Sequence, residues 1–376
     1  MSQLSRGGVV GVGLAGVAAL LLVGCASNKA SAPKTSGTPP VATSSSGSAG
    51  ASSSGSAGTS NLNEPDTNGD GKVVIGILSP GDIHDHGYYQ SFVDAANAYA
   101  KKKGWTVITR GSVATADALN AARALCQQKV DMVALGASEL KDAIPASEEA
   151  VCKNTAWYVP AAANLAQTPK IVISSDDPNQ DLLAAGYAAG LLMKPKNLTK
   201  AGYVTGLKAD FSVLAAKAFL AGIREVVPKA SLLTAYTGDF NDSAKAKEAT
   251  QAQLSQGAKV IYPYLGGGTD ASAAAANAGG ALTLTPGTDR CSSAAPKFDV
   301  SVIFDPGSYF LAALQAFAKN QLVMGTTKVW QMGVDPYPTV KLCHGTPAQT
   351  QMLAGFIKKI GNKTIDPVAE VKRLGG

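Results

Sequence analysis

The sequence predicts an α/β protein of two Rossmann-like lobes, each a parallel sheet wrapped by helices, joined by a hinge that the chain crosses more than once. Three observations predict it. From Val73 onward, apolar runs of strand length alternate with segments of helical spacing. The alternation completes two cycles and leaves a tail too short for a third. The chain has 376 residues and is 45% hydrophobic and 16% charged, so it can bury a core in each of two medium-sized domains.

The elements follow in order. Val73–Leu78 (VVIGIL) is a continuous apolar run of the kind that forms buried parallel strands. Tyr89–Lys103 has helical spacing, with Phe92, Ala95, Ala96 and Tyr99 on one side. Trp105–Thr109 reads as a strand, Thr115–Gln128 as a helix striped by Leu119, Ala122 and Leu125, and Val130–Leu135 as a strand. Glu139–Cys152 reads as a helix and Lys170–Ser174 as a strand, while 153–169, with two prolines, reads as an irregular insertion. In the second cycle, helices are expected at Asp181–Met193, Val213–Val226, Asp242–Ser255 and Asp270–Ala278. They alternate with strands at Ala201–Thr205, Ser231–Tyr236, Lys259–Tyr264 and Leu282–Thr285. A strand at Val300–Phe304, a helix at Ser308–Lys319, a strand at Lys328–Met332 and a helix near Ala348–Ile360 complete the chain. Lobe 1 is expected from 72–176 and 305–330, and lobe 2 from 177–304 and 331–376. The hinges are expected near Ile173–Asp176, Val300–Asp305 and Val329–Asp335.

The N-terminus reads as an address. In 1–24, Arg6 is followed by an apolar stretch from Val9 to Val23, the pattern of a secretory signal. The segment closes Leu22-Val23-Gly24-Cys25, which resembles a bacterial lipobox. That resemblance implies a lipidated Cys25 at the start of the mature chain and a location on the extracytoplasmic face of a bacterial cell membrane. Residues 25–71 are dominated by Ser, Gly, Ala, Thr and Pro, with too few large apolar residues to bury a core. As a flexible tether they would reach about 35–40 Å. The tether ends Asp66-Thr67-Asn68-Gly69-Asp70-Gly71, the first half of a calcium loop. Ile77 stands where the bidentate Glu belongs, so a polar turn is expected instead.

Outside the cytoplasm Cys126, Cys152, Cys291 and Cys343 can oxidise. Four cysteines allow three connectivities. Proximity in sequence and the division into lobes favour Cys126–Cys152 and Cys291–Cys343.

Several function classes lack support. The net charge of +6 is spread along the chain without a basic block, so nucleic acid is not an expected partner. With three His and five Cys there is no zinc-module spacing. Asp82, His84, Asp85 and His86 form one dense polar loop that a metal carrier could use, read here as a solvated turn. No nucleophile elbow is present, and Asp176-Asp177 suits a hinge or helix cap better than paired catalysis, so an enzyme is not expected and no cofactor is implied.

Three stretches carry a family resemblance over roughly 73–345. Asp85-His86-Gly87-Tyr88-Tyr89-Gln90-Ser91 follows the first strand and is similar to the pattern D-K-S-F-N-Q-S. Ala235-Tyr236-Thr237-Gly238-Asp239-Phe240-Asn241-Asp242 leads to Ala244-Lys245-Ala246-Lys247, and Gln256-Gly257-Ala258-Lys259-Val260-Ile261-Tyr262 leads to Gly266-Gly267-Gly268. Thr288-Asp289-Arg290-Cys291 precedes Ser301-Val302-Ile303. Together these resemble the basic membrane protein family of lipoproteins, solute-binding proteins of the type I periplasmic-binding fold whose best-known members are purine nucleoside receptors. The resemblance implies a monomeric receptor that passes a small polar solute, nucleoside-like by family, to an ABC permease. In that family an aromatic at the position of Tyr88 stacks on the base. Two ligand-contact positions depart: Gly287 stands where the family has the Asp that clasps the ribose, and Phe304 where it has a Lys.

The residues themselves suit a flat ligand. Tyr88 and Tyr89 offer apolar faces on one lobe, and Tyr264 offers one on the other. Gly267 and Gly268, between a strand and a helix, would let a ligand approach the backbone. Asp85, Phe211 and Asp289 complete the candidate set. The alternatives are a lipoprotein that senses a ligand and signals to a membrane partner, or a binder of a sugar or a metal ion.

Overall fold

The computed structural model describes residues 65–162 and 165–375. Cys25 and the signal lie outside the described residues. The first lobe holds β1 (Val74–Leu78), α1 (Tyr88–Lys103), β2 (Thr106–Arg110), α2 (Ala118–Gln127), β3 (Met132–Leu135), β4 (Ala156–Ala162) and β5 (Ile171–Asp176). The chain then crosses into α3 (Pro178–Met193), β6 (Lys200–Thr205), α4 (Asp210–Arg224), β7 (Ser231–Tyr236), α5 (Ser243–Ser255), β8 (Val260–Tyr264), α6 (Thr269–Ala278), β9 (Leu282–Pro286) and β10 (Val300–Ile303). It returns for α7 (Pro306–Phe317) and β11 (Thr327–Val329), and crosses again to β12 (Thr339–Leu342), α8 (Pro347–Gly361) and α9 (Pro367–Leu374).

Two six-stranded sheets result, ordered β11-β5-β4-β3-β1-β2 and β12-β10-β9-β8-β6-β7. In both, the first five strands of the lobe lie in the doubly wound order 2-1-3-4-5, which places a switch point between the first and third strands. Neighbours are parallel except β12, which runs antiparallel to β10 with Val300 opposite Leu342. A parallel sheet needs cover on both faces, and each sheet has it. Leu78, Leu125, Trp157 and Ile173 pack on one face of the first sheet, and Ile77, Phe92, Phe310 and Phe317 on the other. The second sheet is covered by Leu182, Tyr203, Phe219 and Val302 on one face and by Val204, Phe240, Ile261 and Ala276 on the other.

The strand and helix alternation is as the sequence predicts, with three differences. The segment read as a helix over 139–152 is a pair of 3-10 stretches, Ser138–Glu148 and Ala150–Cys152. Pro145 has no N–H to donate and crowds the preceding turn, so an α-helix cannot run through it. The stretch read as irregular contains β4, an interior strand between β3 and β5. Its ladder with β3 ends at Tyr158, so from there one side of β4 has no strand to serve and Pro160 is tolerated. The tail supplies β12 and α9, which its weak periodicity hides.

All three crossings carry an Asp-Pro pair. Asp177 and Asp305 are N-caps, accepting from the N–H of Asn179 at 2.9 Å and of Gly307 at 3.0 Å, with proline at the first helical position. In the third crossing Asp335 accepts from the Gln331 N–H at 2.8 Å and from Lys328 Nζ at 3.0 Å. The crossings also brace one another. Trp330 Nε1 donates to Ser174 Oγ at 2.7 Å, and the Met332 N–H donates to Gln180 Oε1 at 2.9 Å.

Each lobe contains one disulfide. Cys126 in α2 is bonded to Cys152, and Cys291 in the loop after β9 is bonded to Cys343 after β12. The chain enters the fold through Thr67 and Asn68, which donate to the buried Asp131 side chain at 3.2 and 3.0 Å. Asp66 accepts from the N–H groups of Asp70 and Gly71, so its carboxylate is turned back on its own loop. Among the described residues no group of three His, Cys, Asp or Glu side chains is placed to hold a metal ion.

Candidate functional site

The loops after β1, β3, β6 and β8 flank the two switch points, and they meet across one cleft between the lobes. In the first of them Asp85 organises the entry to α1. Its carboxylate accepts from the N–H groups of Gly87 at 2.9 Å, Tyr89 at 3.2 Å and Gln90 at 3.0 Å. Burial raises its pKa, and these three donors oppose the rise. The effect is to fix Tyr88 and Tyr89, whose rings meet edge to face at 5.6 Å. The helix behind them ends at Gly104 in the left-handed conformation, with Lys101–Lys103 complementing its C-terminal dipole.

The inner part of the cleft is aromatic. Tyr88 from the first lobe lies 6.2 Å from Phe304 at the second crossing, and Phe304 lies 6.0 Å from Tyr264 at the end of β8. Phe211, Phe240 and Tyr309 add further wall. These side chains enclose about 90 Å³. Small-molecule sites run to about 300 Å³ or more, so this inner cavity is small beside them. The lobes touch closely at Gly266, where a Cβ would come within 2.6 Å of the Tyr89 ring and 2.8 Å of Asn241 Oδ1.

Two carboxyl groups reach this inner cavity, Glu139 after β3 and Asp176 at the end of β5. Burial lifts Glu139 to about 7; the Tyr89 hydroxyl, donating at 3.2 Å, opposes the rise, and the charge of Asp239 adds to it. Burial first, then the neighbouring Asp177 charge, raises Asp176. Asp181 behind it is raised in the same sense by burial and by both neighbours. The hydroxyl of Tyr309, a residue 3% exposed, donates toward the Asp176 carboxylate and opposes its rise. The outer part of the cleft is wider, about 720 Å³, and polar. Asp82, Asp85, Glu139, Asp239 and Asp270 line it with His84 and His86, and neither Lys nor Arg does.

The structure brings Tyr88, Tyr89, Phe211 and Tyr264 together at the inner cavity and Asp85 and Gly267 at the outer one. The Gly267 N–H donates to Asn241 Oδ1 at 2.9 Å. Gly268 is buried at the start of α6 and lines neither cavity. Asp289 is exposed, pairs with Lys341 at 2.8 Å and also lines neither. Gly287 sits with its φ at 89° next to the Tyr88 ring. Glu139 and Tyr309 line the cleft outside any quoted motif, Phe240 lies within one without being singled out, and Asp176 reads from sequence as a hinge or helix cap. All but Tyr309 follow the carboxyl end of a strand, which is the signal that finds them.

Comparison with known proteins decides the family. A profile of the ABC transporter substrate-binding proteins described as PnrA-like matches residues 72–365. The chain belongs to the PnrA-like substrate-binding family of ABC transporters. The family is one of extracytoplasmic solute-binding proteins rather than enzymes, which implies a small-molecule ligand and a permease partner. Among the described residues no helix is long and apolar enough to cross a membrane. A stretch of 89 residues is 30% identical to an ABC transporter nucleoside-binding protein of Lactococcus lactis subsp. cremoris. It covers 24% of this chain and 24% of that one, so the match spans about a quarter of that relative's length. Two solved structures share the fold. The solute-binding protein of an ABC transporter system from Conexibacter woesei superposes with a TM-score of 0.62 at 20% identity, over 78% of this chain and 98% of its own. A counterpart from Aeropyrum pernix superposes with a TM-score of 0.62 at 15% identity, over 81% and 90%. The chain presents a two-lobed type I periplasmic-binding fold.

Proposed function

We propose that this protein is a lipid-anchored receptor that captures a small solute with a flat, nucleoside-like body between its lobes and delivers it to an ABC permease. The observation that carries the reading is the row of rings Tyr88, Phe304 and Tyr264, contributed by one lobe, a crossing and the other lobe. A solute held there contacts both lobes only when they are closed, so binding shifts the protein toward closure. The permease can then distinguish a loaded receptor from an empty one by the shape the two lobes present together. Cys25 supplies the anchor and the tether supplies the reach; Cys25→Ser is expected to release the chain from the membrane fraction, and its retention there would refute the anchor. As a single extracytoplasmic chain with its own complete cleft, the receptor acts as a monomer.

The experiment is calorimetric titration of the full chain with nucleosides, nucleobases, pentoses and hexoses, repeated with Tyr88→Ala. The wild-type protein is expected to bind a flat solute. The variant, deprived of one ring face, is expected to lose on the order of 1–3 kcal/mol of affinity, measured at a temperature where its circular dichroism matches the wild type. A solute bound equally well without the Tyr88 ring would place recognition elsewhere and remove the basis of this reading.

A further inference from the structure

We infer that the cleft selects a positively charged organic solute, a flat body held among the rings with its cationic nitrogen directed at Asp176 and Glu139. The inference rests on the receptor reading above and narrows its ligand class.

The charges around the cleft all have one sign. The chain as a whole carries +6, yet the two cavities are lined by Asp82, Asp85, Glu139, Asp176, Asp239 and Asp270, with no Lys or Arg. Of these, Asp270 is paired with Arg290, and Asp82, Asp85 and Asp239 accept backbone N–H groups of their own loops. Glu139 and Asp176 are different. Neither takes part in a salt bridge among the described residues, and the side-chain partner of Glu139 is the neutral Tyr89 hydroxyl. Carboxylates drawn into an apolar cavity are costly unless a cation joins them.

The Tyr309 hydroxyl is buried at the cavity wall beside Asp176 and donates toward that carboxylate, which leaves its lone pairs to accept from a ligand N–H. The walls point the same way. Ring faces attract cations through their quadrupole and disfavour anions. An anionic solute would find two carboxylates, several ring faces and no basic side chain. A cationic one would supply the opposite charge that Asp176 and Glu139 lack.

The test uses two sets of related compounds that differ in charge. One is adenosine, 1-methyladenosine and adenosine monophosphate; the other is nicotinamide, 1-methylnicotinamide and nicotinate. Each is titrated into the full chain at neutral pH. In at least one set the cation is expected to bind about tenfold or more tighter than the neutral compound, with the anion undetectable. Asp176→Asn is expected to bring the cation down to the neutral compound's affinity. Glu139→Gln, in which the Tyr89 partner is kept by an amide, provides a second variant should the first unfold. Cations that outbind their neutral and anionic members in neither set overturn the inference, as does silence of both cations. In the latter case, binding of an uncharged nucleoside or sugar leaves the receptor reading intact, and silence of those as well brings down both.

Discussion

Among individual residues, the adjacent pair Asp176 and Asp177 shows how much a single position decides. Asp177 turns to cap α3, while Asp176 faces the inner cavity. Sequence alone gives both the same reading, because a strand end followed by Asp-Pro is a helix start whichever acid does the capping. Tyr88, at the start of α1, and Tyr264, at the end of β8, are easier to read, since large flat side chains at the carboxyl edge of a parallel sheet face its cleft. Glu139 is hidden by its surroundings, which read as the start of a helix. It also gives a pH dependence that can be measured. Its carboxyl titrates at about 7 in the fold against 4.5 as the ordinary value. Between these values the folded chain holds a proton that the unfolded chain has released. This group therefore favours the fold fully below about pH 4.5, and the advantage is lost as pH rises through about 7. Tyr89 from α1 and Asp239 from the loop after β7 face it. Glu139→Gln is expected to flatten the fall in unfolding temperature between about pH 5 and pH 8. Parallel curves for the two proteins would show that Glu139 does not titrate in that range.

At the level of elements, buried parallel strands such as β1 and β8 are legible because both faces of the sheet are covered and the whole run is apolar. β4 is not, because Pro160 reads as a breaker unless it is known that β3 stops before it. The 3-10 stretch over Ser138–Glu148 misleads in the opposite direction, since its apolar spacing is helical while Pro145 forbids the α form. α3 and α4 show what local pattern leaves out. A Cβ on Gly186 or Gly222 would stand 2.0 Å from a carbonyl oxygen of the other helix, so these two helices pack backbone to backbone. The disulfides act on the same scale. Cys126–Cys152 closes a sequence separation of 26 residues and Cys291–Cys343 one of 52. Loop-closure entropy puts each at about 3–4 kcal/mol. Reduction is therefore expected to lower the unfolding temperature by several degrees, seen in thermal scans with and without a reductant. Coincident scans would mean that the bridges restrain little of the unfolded chain.

For the whole molecule, the two-lobed plan follows from counting strand–helix cycles, because each cycle must close its own sheet. The later return of the chain is less visible: β11 is three residues long and β12 is antiparallel, so neither announces its sheet. The three crossings combine rigid Asp-Pro corners with cross-braces such as Trp330 to Ser174. Such corners suit two bodies that rotate about a fixed seam rather than unfold at it. In the receptor proposed above the solute would act as the latch, since Tyr88 and Tyr264 belong to different lobes. The most direct measurement is the distance between spin labels at Ala114→Cys and Ser243→Cys, exposed positions on opposite sides of the cleft mouth. With saturating solute the account predicts one short, narrow distance distribution, and without solute an added longer component that disappears on titration. A distribution unmoved by a saturating solute would contradict the claim that the lobes close upon it.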